Sequence, residues 1–281
     1  MTVAEALEFG KGKIERRDAV LLLCHITGQN SGYIMLNGHE TMDMKAENLY
    51  QEYLRRRQTG EPLQYILGSW DFMGQTLNVD RRALIPRPET ELMVEKSFEF
   101  IRGCELPDIR MLDLCTGSGC IAVAIASMAK AAGIGISIIA TDISPAALEL
   151  AKENSVANGF GNVIRFINSD LFDGEEFRNL KGKFDIIISN PPYIPSEEIA
   201  TLEPVVRDFE PHIALDGGID GMDIYRRIVP QSFEFLRSGG ALTLEIGPVA
   251  VEEMLINTNF SDVQLIRDYA GLPRILHGIR P

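Results

Sequence analysis

Met111-Leu112-Asp113-Leu114-Cys115-Thr116-Gly117-Ser118-Gly119 is a short apolar run that meets an acidic residue and opens into a glycine-rich turn. An Ala-rich stretch at 120–130 follows and reads as a helix, so the segment is a strand–turn–helix unit. The same alternation continues outward. Positions 136–141 read as a strand, and 145–158 as a helix with Pro145 near its first turn and Gly159 behind it. Positions 163–168 and 184–189 are further strands, the second carrying Ile186-Ile187-Ile188 without a polar break. Unbroken apolar runs of this kind suit strands covered on both faces, as in a parallel sheet. A helix at 222–236 and strands at 241–246, 263–267 and 274–279 complete the series, and the βαβα order predicts a doubly wound α/β domain.

Upstream the pattern changes. Residues 1 to about 68 carry apolar positions at helical spacing (Val20 to Leu23, Ile26, Leu36, Leu49, Tyr53 and Leu54), with Gly28, Gly32, Gly38 and Gly60 as breaks. Helices this short are marginal alone and are expected to pack as a small bundle. From Trp70 the residues alternate around Gly74, which predicts a β-hairpin between two domains. The expected division is a helical domain at 1–69, a hairpin linker at 70–86 and a catalytic domain at 87–281.

The chain has 281 residues, 45% of them hydrophobic, and no apolar stretch approaches the roughly 18 residues a membrane span needs. Its start carries Glu5 and Glu8 and no basic region before an apolar run, so no signal peptide is expected. Cys24, Cys104, Cys115 and Cys120 show neither CxxC spacing nor the density of a disulfide framework, which predicts reduced thiols, a cytoplasmic protein and no metal site. The net charge is −13, with −2 up to residue 73 and −11 beyond it. Binding to a duplex needs concentrated Lys and Arg. Arg55-Arg56-Arg57 is the one such run, and it reads as the end of a helix, where cations oppose the negative dipole end.

In a doubly wound sheet the ligand lies beyond the carboxyl ends of the strands. Asp113, Asp142 and Asp170 occupy such ends at spacings of 29 and 28 residues, one βα unit each, so all three are expected to line one crevice. Thr116-Gly117-Ser118-Gly119 lets the backbone approach a ligand closely, and the following helix offers unpaired N–H groups to an anion. Gly117, Gly119 and Ala122 with Asp142 also satisfy the dinucleotide fingerprint. A nicotinamide nucleotide and S-adenosylmethionine each present a ribose diol to Asp142, so the loop by itself leaves both open. Plain alternatives are a tight turn at the glycines and helix-capping roles for Asp142 and Asp170.

Asn190-Pro191-Pro192-Tyr193 follows the 184–189 strand directly and therefore sits at the rim of that crevice. The lone pair of an amide nitrogen is delocalised and points poorly at an incoming methyl. Accepting both of its N–H bonds fixes the NH2 group and favours the pyramidal geometry of transfer. The Asn190 side-chain oxygen and the Pro191 carbonyl can be those acceptors, since proline has no N–H and its fixed φ holds the carbonyl still. Tyr193 can stack on the planar substrate group, beside Pro192. A hydride-transfer enzyme has no use for such an acceptor pair, which decides the cofactor in favour of S-adenosylmethionine.

Taken together these segments resemble the protein-(glutamine-N5) methyltransferases that modify peptide chain release factors. The resemblance covers nearly the whole chain. It is carried by Pro62-Leu63-Gln64-Tyr65-Ile66-Leu67-Gly68, Leu84-Ile85-Pro86-Arg87-Pro88-Glu89-Thr90-Glu91, the Asp113 to Gly119 region, Asn190 to Tyr193, Phe209-Glu210-Pro211-His212 and Ala214-Leu215-Asp216-Gly217-Gly218. The Asn-Pro-Pro-Tyr motif is shared with adenine-N6 DNA methyltransferases; the segments around Arg87 and Glu210 make the likeness specific. It implies a Rossmann-like, seven-stranded class I methyltransferase domain whose last strand is antiparallel, behind a helical domain that helps hold the release factor. It implies transfer of methyl from S-adenosyl-L-methionine, with S-adenosyl-L-homocysteine as product, to the Gln of a Gly-Gly-Gln loop in class I release factors. Carried over, the cofactor segment is Cys115, Thr116, Gly117, Ser118, Gly119, Asp142, Asp170 and Leu171, with Asn190 at its edge. The substrate segment is Asn190, Pro191, Pro192 and Tyr193, of which Asn190, Pro191 and Tyr193 are the catalytic candidates. The expected partner is the release factor alone, without nucleic acid or membrane, met by a monomer.

Three residues depart from the family pattern: Cys115 where Gly is common, Leu171 where some members have Trp, and Ala250 where Gln is common. Arg87 and Glu89 have two readings, shaping the rim or pairing with each other to start a helix. His212 and Glu245 read as structural. The rival functions are a nucleic-acid base methyltransferase of adenine-N6 type, a glutamine methyltransferase for a ribosomal protein, and a noncatalytic module on the same fold.

Overall fold

The computed structural model describes residues 1–247 and 251–281, so Ala250 lies outside the described residues. The chain divides into two compact units, Met1–Ser69 with Glu203–Phe209, and Trp70–Leu202 with Glu210–Pro281.

In the first unit helices α1 (Val3–Lys11), α2 (Arg16–Thr27), α3 (Ser31–Leu36), α4 (Met44–Gln58) and α5 (Leu63–Leu67) bury Ala6, Leu22, Leu23, Ile34, Tyr50 and Leu54 against one another. Thr2 caps α1 in a capping box with Glu5, and Asp43 caps α4 through the Ala46 N–H. Gly28 ends α2 in a left-handed conformation, as read, whereas Gly32 lies inside the first turn of α3. Arg55, Arg56 and Arg57 form the last turn of α4; Arg56 grips Glu61 at 2.9 Å and Arg57 grips Asp18 at 2.6 Å.

The second unit begins within the first strand of a hairpin, β1 (Ser69–Phe72) and β2 (Gln75–Asn78). The hairpin belongs with this unit because Phe72 and Leu77 are buried in its core. The Asn154 side chain also accepts from the Asn78 N–H at 2.7 Å and donates to its carbonyl at 3.0 Å. Glu203–Phe209, placed by the sequence reading inside the catalytic domain, groups instead with the helical unit and contains the short helix α9 (Pro204–Arg207).

The remaining elements are, in chain order, α6 (Pro88–Gly103), β3 (Asp108–Leu114), α7 (Cys120–Ala132), β4 (Gly135–Asp142), α8 (Pro145–Ala157), β5 (Ile164–Asn168), β6 (Phe184–Ser189), α10 (Asp223–Phe235), β7 (Leu236–Glu245), α11 (Glu252–Asn257), β8 (Ser261–Arg267) and β9 (Pro273–Ile279). Among the described residues they make one seven-stranded sheet, ordered β5-β4-β3-β6-β7-β9-β8. Strands β5 to β7 of that order pair in parallel, and β9 runs antiparallel to both of its neighbours. The chain winds outward in one direction from β3 through β4 to β5 and in the other through β6 to β7. The direction reverses between β3 and β6, and a crevice opens beyond their carboxyl ends. Ile186, Ile187 and Ile188 are fully buried, with apolar clusters on both faces of the sheet. No helix among the described residues is long and apolar enough to cross a membrane.

Candidate active site

A cavity of about 490 Å³ opens at that reversal, walled by residues of the second unit. Its volume is within the range of small-molecule sites.

One wall is the loop after β3. Cys115, Gly117 and Gly119 each have a positive φ (56°, 55° and 78°), so the chain alternates hand through the turn. Position 119 must be glycine for a second reason: a Cβ there would stand 3.0 Å from the Ala151 Cβ and 3.2 Å from its Cα on α8. Gly119 therefore serves the loop and its packing, and Cys115, Thr116, Gly117 and Ser118 line the cavity. The left-handed backbone also explains why glycine suits position 115, since a side chain there costs roughly 1–2 kcal/mol.

Asp142 ends β4 in the cavity wall, where Oδ2 accepts the Gly117 N–H and Oδ1 the Ser144 N–H, both at 2.9 Å. Burial raises its pKa, and the backbone N–H groups counter that by favouring the carboxylate. Each oxygen keeps acceptor capacity, which is what a vicinal diol requires. Asp170 and Leu171 follow β5 and also line the cavity, Asp170 paired with Arg227 at 3.0 Å. Thr141 Oγ1 is buried in this wall and has no hydrogen-bond partner among the described residues, which leaves a polar atom ready for a ligand.

Asp113 corrects the sequence reading. It is fully buried beneath the loop rather than lining the crevice; Oδ2 accepts from Thr116 Oγ1 at 2.6 Å, and burial pushes its carboxyl up to about 7. It is still inside the sheet, flanked in the plane by Ala140 of β4 and Ile188 of β6, one residue short of the end of β3.

The opposite wall is built around Asn190. Ser189 pairs with Leu244, so the next residues, Asn190 and Glu245, reach the carboxyl ends of adjacent strands side by side. Asn190 and Pro192 line the cavity; Pro191 is buried behind them. The Tyr193 ring rests on Gly247, where a Cβ would meet Cδ2 of the ring at 2.5 Å, and it does not contribute to the cavity wall. Backbone bonds from Ile194 to Leu215 and from Gly217 to Ile194 tie this turn to the segment after His212.

Residues outside the expected cofactor and substrate segments also shape the site. Glu210, almost wholly buried, accepts the Ile85 N–H at 3.2 Å and Arg87 Nη2 at 2.5 Å, fastening the cavity-lining segment from Arg82 to Arg87. Arg87 thus shapes the rim and pairs with Glu210 rather than with Glu89, while Pro88 starts α6. Thr90, in the first turn of α6, accepts from Asn190 Nδ2 at 3.3 Å and donates to Glu245 Oε2 at 2.6 Å. Glu245 is 1% exposed, and burial lifts its carboxyl to about 7. His212 is exposed on the cavity rim rather than packed in the core.

A family model described as the PrmC N-terminal domain matches residues 3–68, and one described as the methyltransferase small domain matches residues 105–219. The chain is 35% identical over 267 residues to the release factor glutamine methyltransferase of Clostridium acetobutylicum, covering 94% of this chain and 90% of that protein. It is 37% identical over 273 residues to the one from Chlorobaculum tepidum, covering 95% and 91%. Among solved structures, the human methyltransferase 10 domain containing protein superposes with a TM-score of 0.53 at 17% identity, over 74% of this chain and 90% of that one. At that identity the likeness is one of fold.

Proposed function

We propose, for a chain that belongs to the family of release factor glutamine methyltransferases, that it methylates the side-chain amide nitrogen of the Gln in the Gly-Gly-Gln loop of class I release factors. The chain is an S-adenosylmethionine-dependent methyltransferase by fold and family. The observation that carries the substrate reading is Asn190: a neutral amide in the cavity wall, anchored from behind through its NH2 group.

The cavity suits the cofactor on its own chemistry. Asp142 has acceptors for a ribose diol, Thr141 brings an unpartnered hydroxyl, and the Thr116 to Ser118 loop brings backbone N–H groups. Bound there, S-adenosylmethionine supplies a methyl group already activated by its sulfonium. The protein's share is positioning. Asn190 Oδ1 and the Pro191 carbonyl accept the two N–H bonds of the substrate amide, fix its plane and favour pyramidal nitrogen. Pro192 bounds the substrate group. Tyr193, with its ring on Gly247, is assigned to holding the turn rather than to stacking on substrate. The nitrogen loses its proton after it has become cationic, so the step needs no strong base beside it. The helical unit is assigned to holding the release factor, and the enzyme is read as a cytoplasmic monomer that contacts neither nucleic acid nor membrane.

The test is incubation with S-adenosylmethionine and an intact release factor, followed by mass spectrometry of the Gly-Gly-Gln peptide. One added methyl on Gln is expected. No gain there, with methyl transferred to adenine in DNA or RNA, overturns the reading. Asn190→Ala should lower kcat by about 100-fold or more, the scale set by lost positioning, while affinity for S-adenosylhomocysteine stays within a few-fold.

A further inference from the structure

A side-chain amide has two nearly isosteric ends, and only one of them serves this reaction. The substrate NH2 offers donors alone, so Asn190 must present its oxygen. What turns it that way must lie behind it. There the structure places two oxygens. Asn190 Nδ2 stands 3.3 Å from Thr90 Oγ1, and Thr90 Oγ1 stands 2.6 Å from Glu245 Oε2. A hydroxyl has one proton. Thr90 gives it to Glu245, so towards Asn190 its oxygen can only accept. The arrangement is rigid, because Thr90 is 2% exposed and Glu245 1%, and Tyr225 donates to the Glu245 backbone carbonyl at 2.8 Å.

We infer that Thr90 and Glu245 are positioning residues for methyl transfer, which hold the Asn190 amide with its NH2 turned inward and its oxygen turned toward the substrate nitrogen. This rests on the reading of Asn190 as an acceptor for glutamine. Its consequence is a dependence on the charge of Glu245. When Glu245 is protonated it can donate to Thr90, and the Thr90 proton is then free to point at Asn190. The preferred end of the amide reverses, and NH2 faces NH2.

Several groups surround the carboxyl. Burial opposes its charge, as does Glu89 on α6; the Thr90 hydroxyl and Arg274 on β9 favour it, and the nearby Asn190 amide adds to them. Tyr193, Tyr225 on α10 and Cys120 on α7 also face Glu245, and their pKa values are raised, so they stay neutral through the pH range that matters. The balance leaves Glu245 titrating at about 7.

The experiment measures kcat and KM for methylation of an intact release factor from pH 6 to 9, with S-adenosylhomocysteine affinity and thermal midpoint for each variant. Thr90→Val keeps the shape and removes the hydroxyl. It should lower kcat by about 30- to 100-fold, the cost of a misplaced positioning group, with KM and product affinity within about threefold of wild type. Thr90→Ser should restore kcat to within about threefold. Wild-type kcat should fall as pH drops through about 7, and Glu245→Gln should be flat across that range. Asp113, also raised to about 7, remains in the Glu245→Gln protein, so an acid limb due to it would persist. A Thr90→Val kcat within twofold of wild type overturns the inference, and so does an acid limb that survives in Glu245→Gln. If Thr90→Val does not fold, the Glu245→Gln profile alone decides. An inactive wild type overturns the glutamine reading itself, whereas an active wild type with indifferent variants overturns only the positioning.

Discussion

Asp113→Asn isolates the cost of the charge buried beneath the cofactor loop. Asp113 has no exposed surface, one carboxylate oxygen bound to Thr116 and the other without a hydrogen-bond partner among the described residues. Its pKa moves from 3.8 to about 7, mainly by desolvation. At about 1.4 kcal/mol per unit the full shift is worth roughly 4 kcal/mol. The sign follows from proton uptake. Between those two values the folded state holds the proton and the unfolded state has lost it, so the folded state binds more protons. Stability is therefore fully present below the unfolded value and is lost as pH rises through the folded one. From pH 5 to pH 8 the loss due to Asp113 is roughly 2.5 kcal/mol. Asparagine keeps the shape, still accepts from Thr116 and cannot titrate. Urea unfolding at both pH values, followed by Trp70 fluorescence, gives the assay, because Trp70 is the chain's one tryptophan and belongs to the second unit. Glu245 is common to both proteins and cancels in the double difference, whereas Asp142, whose charge adds to the rise at Asp113, is part of the effect measured. Equal losses in wild type and variant would refute the reasoning and mean that water reaches the Asp113 carboxylate.

Two further substitutions probe what holds the site. Asn154→Ala removes three side-chain bonds, two to Asn78 and one to the Ser118 carbonyl at 2.9 Å. At about 1 kcal/mol each, with about 2–4 °C per kcal/mol for a unit of this size, calorimetry should show the second unit melting about 6–12 °C lower; a change below about 2 °C would show that the bonds are replaced by water. Gly247→Ala drives a Cβ to 2.5 Å from the Tyr193 ring. It should cost about 1–3 kcal/mol of stability and lower kcat more than it weakens S-adenosylhomocysteine binding, measured by calorimetry; unchanged kcat would show that the Tyr193 ring does not hold the Asn190 turn.

The alternation of elements was legible because it is written locally. Apolar runs such as Ile186 to Ile188 bury on both faces wherever they sit in a parallel sheet, and Gly117 and Gly119 mark a turn that other residues make poorly. The strand ends were legible too, and Asp142, Asp170 and Asn190 line one cavity. Asp113 does not. One residue of register separates a side chain at a strand end from one still covered by neighbours, and Asp113 lies opposite Ala140 and Ile188.

The partners of Asn190 were hidden for a different reason. Thr90 and Glu245 are 155 residues apart, and Ile85 and Glu210 are 125 apart. No periodicity records such pairs; they depend on which strand ends become neighbours. A carboxylate at the end of β7 reads as structural until Leu244 is seen opposite Ser189, which sets Glu245 beside Asn190. The segments around Arg87 and Glu210 had residues more specific than any local rule could explain. The structure supplies the reason, since each half of that specificity is a polar group whose partner lies in the other. A buried carboxylate that loses its partner is costly, so Arg87 and Glu210 constrain each other, and with them the wall of the cavity. The same logic joins Thr90 to Glu245. It makes the first turn of α6, rather than the Asn-Pro-Pro-Tyr turn alone, the element that sets which end of Asn190 meets the substrate.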